Sequence, residues 1–162
     1  MSNNVITLMS NRHNIEVRIP ETDLLIGAVL IRGARAPMLV TKEMVKKMKP
    51  GSVIIDVAID QGGCVETSRP TTHSNPTFKV YVVIHYCVTN MPGAVRRTST
   101  YALTNVTLPC CMAFANRGYK KAMREDSALA KGLNMAEGKA TLKPIADLFG
   151  LEYYPIESVL SG

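Results

Sequence analysis

Hydrophobic and polar positions along the first half of the chain alternate in blocks of strand length. VITLMS (5–10) reads as a short strand. DLLIGAVL (23–30), SVIIDVAI (52–59) and YVVIHYCV (81–88) read as nearly continuous apolar runs. Runs of that kind suit strands covered on both faces, as in a parallel sheet. Between the first two long runs lies TKEMVKKMKPG, a short amphipathic helix by its pattern. Thr41 is placed to cap it, Met44, Val45 and Met48 form its apolar stripe, lysines fill its last turn, and Pro50-Gly51 stops it. Pro20 forbids a long helix earlier in the chain. The segments 32–37 and 67–77, rich in Gly, Pro, Ser and Thr, read as loops. Strand, helix, strand in this order predicts a three-stranded parallel sheet with right-handed crossovers.

The pattern changes at Asn90-Met91-Pro92-Gly93. Residues 98–118 read as a helix with a Ser or Thr cap, Gly118 at its end and a kink at Pro109. YKKAMREDSALAKG and TLKPIADLFG predict two shorter helices, the second ended by Gly150. The expected organisation is half of a doubly wound sheet over 1–95 and a helical tail over 96–162. Three strands alone leave open edges, which points to a sheet that continues elsewhere.

Composition narrows the classes. A chain of 162 residues with 46% hydrophobic content supplies one core. No apolar run is long enough to span a membrane, and the N-terminus lacks the pattern of a secretory signal, so an intracellular, cytoplasmic location is expected. The net charge of +6 is scattered and lacks interleaved aromatics, which argues against a nucleic-acid surface. Cys64, Cys87, Cys110 and Cys111 form no CxxC pair and read as buried free thiols. No metal-ligand spacing links His13, His73 and His85, so no metal is expected.

In an open parallel sheet, ligands bind beyond the carboxyl ends of the strands. Those ends place Val29 and Leu30, Asp60 and Gln61, and Thr89 and Asn90 at one rim. The mix of apolar walls, one carboxylate and two amides suits a flat ligand with a polar edge. Asp60 has two readings: a carboxyl suited to proton exchange, or a cap accepting the N–H groups of Gly62 and Gly63. Asp56 is expected to pair with a base or face a wet edge. His85 reads as a satisfied core histidine. His73 sits in a loop, with a functional role open to it, and Arg69 has two readings: a contact for an anion at the rim, or a solvated surface arginine. No GxGxxG occurs, so the phosphate-cradling loop of a dinucleotide fold is not in this chain.

DLLIGAVL, the stretch from Ala36 to His73 containing DVAIDQGG and RPTTH, NMPGAV and TSTYALTNVTLP resemble the C-terminal portion of bacterial L-alanine dehydrogenase. The resemblance implies an α/β fold: the second half of a Rossmann-type parallel sheet followed by a helical C-terminal tail. It implies NAD as cofactor, L-alanine and pyruvate as substrates, a homohexameric assembly, and an N-terminal half that this chain does not contain. It puts the catalytic acid at Asp60. It puts cofactor contacts at Ser10, Val29, Leu30, Val57, Ala58, Ile59, Asp60, Arg69, Val88, Thr89, Asn90 and Met91. The family's catalytic histidine and its substrate-binding arginine and lysine fall upstream of Met1. Arg96, Arg32 and Thr89 depart from the family pattern. Two other readings remain: a non-catalytic remnant or interaction module, and a transhydrogenase-like nucleotide domain.

Overall fold

The computed structural model describes residues 4–161. Residues 1–3 and 162, within the two expected domains, lie outside the described residues. The chain divides into two compact units, Met1–Met91 and Pro92–Gly162.

The first unit begins with irregular chain: residues 5–10 form no strand, against expectation. Helix α1 (Arg12–Arg18) follows, capped by Asn11, whose side chain accepts the Asn14 N–H. It ends in a 3₁₀ turn, Ile19–Glu21, with Pro20 inside, as a residue lacking an N–H dictates. Strand β1 (Leu24–Gly27) leads through a long connection to α2 (Lys42–Lys46), where the Thr41 hydroxyl accepts the Met44 N–H as expected. Strand β2 (Val53–Asp56) stops at Asp56, and residues Val57–Gln61 wind into a 3₁₀ turn rather than extending the strand.

Two further strands, β3 (Thr77–Val80) and β4 (Val83–Tyr86), form a hairpin. The sheet is therefore four-stranded and mixed, ordered β1-β2-β4-β3, with β1, β2 and β4 parallel and β3 antiparallel at one edge. The expected all-parallel, three-stranded sheet is corrected in this respect. Tyr81 and Val82, read as the start of a strand, are the hairpin turn, and Tyr81 takes φ 55°. The parallel register sets Leu25 beside Ile54 and Ile54 beside His85. On that face Ile54 and Val83 pack with Ile19, Val40, Met44, Val45, Met48 and Val65. The other face carries Leu24 and Ile26, 52% and 58% exposed. The apolar runs thus arm both faces, but within this unit only one is covered.

The second unit opens with a 3₁₀ turn, Met91–Val95, shared across the boundary, and a long helix α3 (Arg96–Glu125). No Ser or Thr side chain caps α3, because it begins at Arg96, earlier than the pattern suggests. Helical torsions continue through Pro109; the break comes at Gly118, with φ 71° and ψ 158°. Asp126 caps α4 (Ser127–Ala130). A two-residue hairpin, β5 (Met135–Ala136) and β6 (Lys139–Ala140), precedes α5 (Lys143–Phe149), which ends on Gly150 at φ 64° as expected. A final turn of helix, α6 (Glu157–Leu160), contributes the buried Val159 and Leu160, and the Arg124 Nη1 donates to the Leu160 carbonyl at 3.1 Å.

No helix among the described residues is long and apolar enough to cross a membrane.

Candidate functional site

The site is built on a buried carboxylate. Asp56, at the end of β2, has no exposed surface. Its Oδ1 accepts the Ala58 N–H at 3.1 Å, and its Oδ2 accepts the N–H groups of Cys64 at 3.0 Å and Val65 at 3.2 Å. Three charge-assisted hydrogen bonds replace the water a carboxylate requires. This corrects the expectation of a basic partner or a wet edge: besides the Cys64 thiol, whose Sγ donates to Oδ1 at 3.5 Å, the partners are backbone amides, two of them supplied by a chain that turns back on itself. The bond to Ala58 folds residues after β2 into the 3₁₀ turn. Gly62 and Gly63, at φ 96° and 80°, reverse the chain and return Cys64 and Val65 to the same carboxylate. A Cβ at Gly63 would stand 2.9 Å from Asp56 Oδ2, and one at Gly27 would overlap Cys64 Sγ. Both positions require the bare backbone.

Two thiols lie around this knot. Burial, followed by the Asp56 charge and its hydrogen bond, pushes the Cys64 thiol up to about 12. Burial likewise raises that of Cys87. Cys64 and Cys87 are buried free thiols as expected; Cys111 is exposed and Cys110 half-buried, which corrects the expectation for that pair. His85 is fully buried. Its Nδ1 lies 3.2 Å from the Val83 carbonyl, its Nε2 lies 2.8 Å from Thr67 Oγ1, and its ring stacks on Phe78. Burial holds its imidazole below the ordinary histidine range. It is a satisfied core histidine.

The turn held by Asp56 presents Asp60 outward. Asp60 is exposed, and its oxygens accept the Asn90 N–H at 3.2 and 3.3 Å. That contact joins the segment after β2 to the segment after β4, on the rim where the parallel strands end. The cap reading of Asp60 is corrected: the Gly62 and Gly63 N–H groups donate instead to the carbonyls of Ile59 and Ala58, both at 3.0 Å. Asn90 takes φ 54°. A left-handed non-glycine residue costs on the order of 1–3 kcal/mol and persists where its surroundings hold it.

The remaining expected site residues fall in three groups. Val57, Ala58 and Ile59 form the turn leading to Asp60; Ala58 and Ile59 are buried, so they offer backbone rather than side chain to the rim. Val88 is buried, while Thr89 donates its N–H and hydroxyl to the Thr71 carbonyl, and Met91 follows Asn90 half-buried. Val29 packs on the core and Leu30 is 67% exposed, both beyond the end of β1. Arg69 lays its guanidinium 4.2 Å from the centre of the Phe78 ring. Ser10 lines a shallow cavity of about 120 Å³ with Arg12, Met38 and Thr41. Sequence reasoning missed the part played by Asp56 and the strained backbone of Asn90; an Asn directly before Met-Pro-Gly, in a residue type that tolerates positive φ, was the available signal.

Comparison with known proteins gives this rim its relatives. Residues 1–143 match the family model described as alanine dehydrogenase/PNT, C-terminal domain. The chain is 58% identical over 155 residues to an alanine dehydrogenase of Bacillus subtilis, covering 95% of this chain and 41% of that protein. It is 58% identical over 160 residues to one of Methanococcus maripaludis, covering 98% of this chain and 43% of that protein. Among solved structures, an L-alanine dehydrogenase superposes with a TM-score of 0.77 at 51% identity over 93% of this chain and 41% of that one. A transhydrogenase from Sinorhizobium meliloti is more distant, with a TM-score of 0.56 and 30% identity over 68% of this chain and 32% of that one. The chain thus spans about two fifths of the length of its curated relatives, and by this match over most of its residues it belongs to the alanine dehydrogenase/PNT C-terminal domain family.

Proposed function

We propose that the chain is the C-terminal portion of an NAD-dependent L-alanine dehydrogenase, which interconverts L-alanine with pyruvate and ammonium. The observation that carries this reading is the Asn90-to-Asp60 contact, which gathers an exposed carboxylate and a fixed backbone amide at the carboxyl ends of the parallel strands.

The residues present fit the nicotinamide end of the cofactor. The apolar surface of Leu30 and the turn over Val57, Ala58 and Ile59 offer a floor, and the reversal at Gly62 and Gly63 keeps side chains away from it. When bound, NAD would take up the hydride that leaves the alanine Cα. Asp60 spends part of its hydrogen-bonding capacity on one backbone N–H, and its exposed oxygens retain lone pairs to orient a substrate amine or a water and to accept a proton. The N–H of Asn90 holds that carboxylate in place. The glycine-rich loop for the pyrophosphate is not in this sequence. On this reading the chain works together with a preceding portion of the kind its longer relatives carry, within the homohexamer that the resemblance implies.

The test is titration of the 162-residue chain with NADH by fluorescence, with alanine-dependent NAD reduction assayed alone and after fusion to the upstream portion of the Bacillus subtilis relative. Weak binding and no turnover are expected of the chain alone. Turnover is expected of the fusion, lowered by a factor of about 10²–10⁴ in Asp60→Asn. An active fusion indifferent to Asp60→Asn, or robust turnover by the chain alone, refutes the assignment.

A further inference from the structure

The imidazole of His73, in the RPTTH stretch, has no part in the chemistry proposed above. Its Nε2 lies 3.1 Å from the Asn90 carbonyl oxygen. A carbonyl only accepts, so Nε2 carries the proton and donates. On the other side of the same residue, the Asn90 N–H donates to Asp60. A residue with left-handed backbone is therefore gripped on both sides of its α-carbon, by a carboxylate and by an imidazole.

The loop is built to make this grip. Thr71 donates its N–H to the Cys87 carbonyl at 2.9 Å, and its own carbonyl accepts the Thr89 N–H at 3.1 Å. This parallel stitch ties the loop to the extension of β4. His73 stands two positions beyond one side of the stitch and Asn90 one position beyond the other. The Thr72 hydroxyl, bonded to Ser74 Oγ at 3.0 Å and accepting the Asn75 N–H at 3.3 Å, tightens the turn around His73. His73 is exposed, so its ring adds no core packing; among the described residues its one polar contact is the Asn90 carbonyl.

We propose that His73 is a positioning residue of the Asp60 rim: by holding the Asn90 carbonyl through its Nε2–H, it keeps the Asn90 N–H aimed at Asp60 and fixes where that carboxylate stands. The geometry carries the clamp; its catalytic consequence rests on the proposed function of Asp60.

Two variants and one spectroscopic comparison decide it. His73→Ala removes the donor, whereas His73→Gln keeps an N–H of similar reach. In the isotope-labelled chain, long-range proton–nitrogen spectra are expected to show His73 as the Nε2–H tautomer. His73→Ala is expected to move the Asn90 amide proton and the Asp60 carboxylate carbon and to speed Asn90 amide exchange about tenfold. His73→Gln is expected to restore all three. The clamp is overturned if His73 is the Nδ1–H tautomer, or if His73→Ala leaves Asn90 and Asp60 at their wild-type shifts in a chain whose circular dichroism is unchanged. NADH is added to the wild-type chain as a separate arm. Shifts absent from the rim there overturn the nucleotide reading, while the tautomer and the Asn90 exchange rate still decide the clamp.

Discussion

Replacing Asp56 is the sharpest test of how the rim is held. Asp56→Ala leaves the N–H groups of Ala58, Cys64 and Val65 without their acceptor at a position with no exposed surface. An orphaned buried donor costs about 1–3 kcal/mol. Partial rescue by an entering water and loss of the carboxylate's own desolvation cost reduce the sum, so about 3–5 kcal/mol is expected. That is a large part of the roughly 5–15 kcal/mol that holds a domain folded. Asp56→Asn retains one acceptor oxygen but turns an amide donor toward other donors, and about 1–3 kcal/mol is expected. Urea unfolding followed by circular dichroism reads both. With a slope of about 2 kcal/mol per molar, the alanine midpoint falls by about 2 M and the asparagine midpoint by about 1 M. Asp60→Asn, on the exposed side of the same turn, serves as control and is expected to stay within about 0.5 kcal/mol of wild type. An Asp56→Ala midpoint within about 0.3 M of wild type, equivalent to about 0.6 kcal/mol, refutes the account of the knot.

Three further outcomes follow from the same region. A thiol reagent at neutral pH is expected to label Cys111 first and to spare Cys64 and Cys87 until the chain unfolds, since burial raises both thiols, Cys64 to about 12; mass spectrometry of timed samples checks the order. His85 is held neutral by burial, with a folded pKa below its ordinary value. Between the two values the unfolded chain binds a proton that the folded chain refuses, so stability is full above about pH 6.5 and declines as acidity passes through the folded value. Urea midpoints at pH 7.5 and 5.5 are expected to differ in that sense, and less so in His85→Gln. Gly63→Ala forces a methyl group against Asp56 Oδ2 at positive φ, with about 1–3 kcal/mol of destabilisation expected in the same urea assay.

Particular residues show what could be read in advance. Thr41, Met44 and Val45 were legible because a cap and a helical stripe are local signals, and the structure places each as expected; α2 ends at Lys46, short of the expected stop at Pro50-Gly51, so Met48 joins the core from beyond the helix. Gly150 was legible for the same reason, a helix end that needs positive φ. The end of β2 was not. Val57, Ala58 and Ile59 continue the apolar run without interruption, and what bends them is a hydrogen bond from Ala58 to a side chain two residues earlier. The β3–β4 hairpin escaped because its turn is made by Tyr81 and Val82, residues that favour strands. The cover of only one sheet face is a tertiary fact that two-sided apolar runs do not encode. At the site, Asp60 and Asn90 were placed on one rim by strand order alone, whereas the grip of His73 and the support of Asp56 depend on loop closures with no periodic signature.

One strand of the sheet has further bearing. Among the described residues β1 pairs only with β2, so its outer row of amide and carbonyl groups is unsatisfied by any neighbour, and Leu24 and Ile26 lie bare beside it. Such a margin is a template on which extended polypeptide adds itself in register. Concentrated preparations of the chain by itself will accordingly gather into oligomers seeded at this margin. Lysine substituted at Leu24 or Ile26 is the natural remedy for anyone wishing to keep it dispersed.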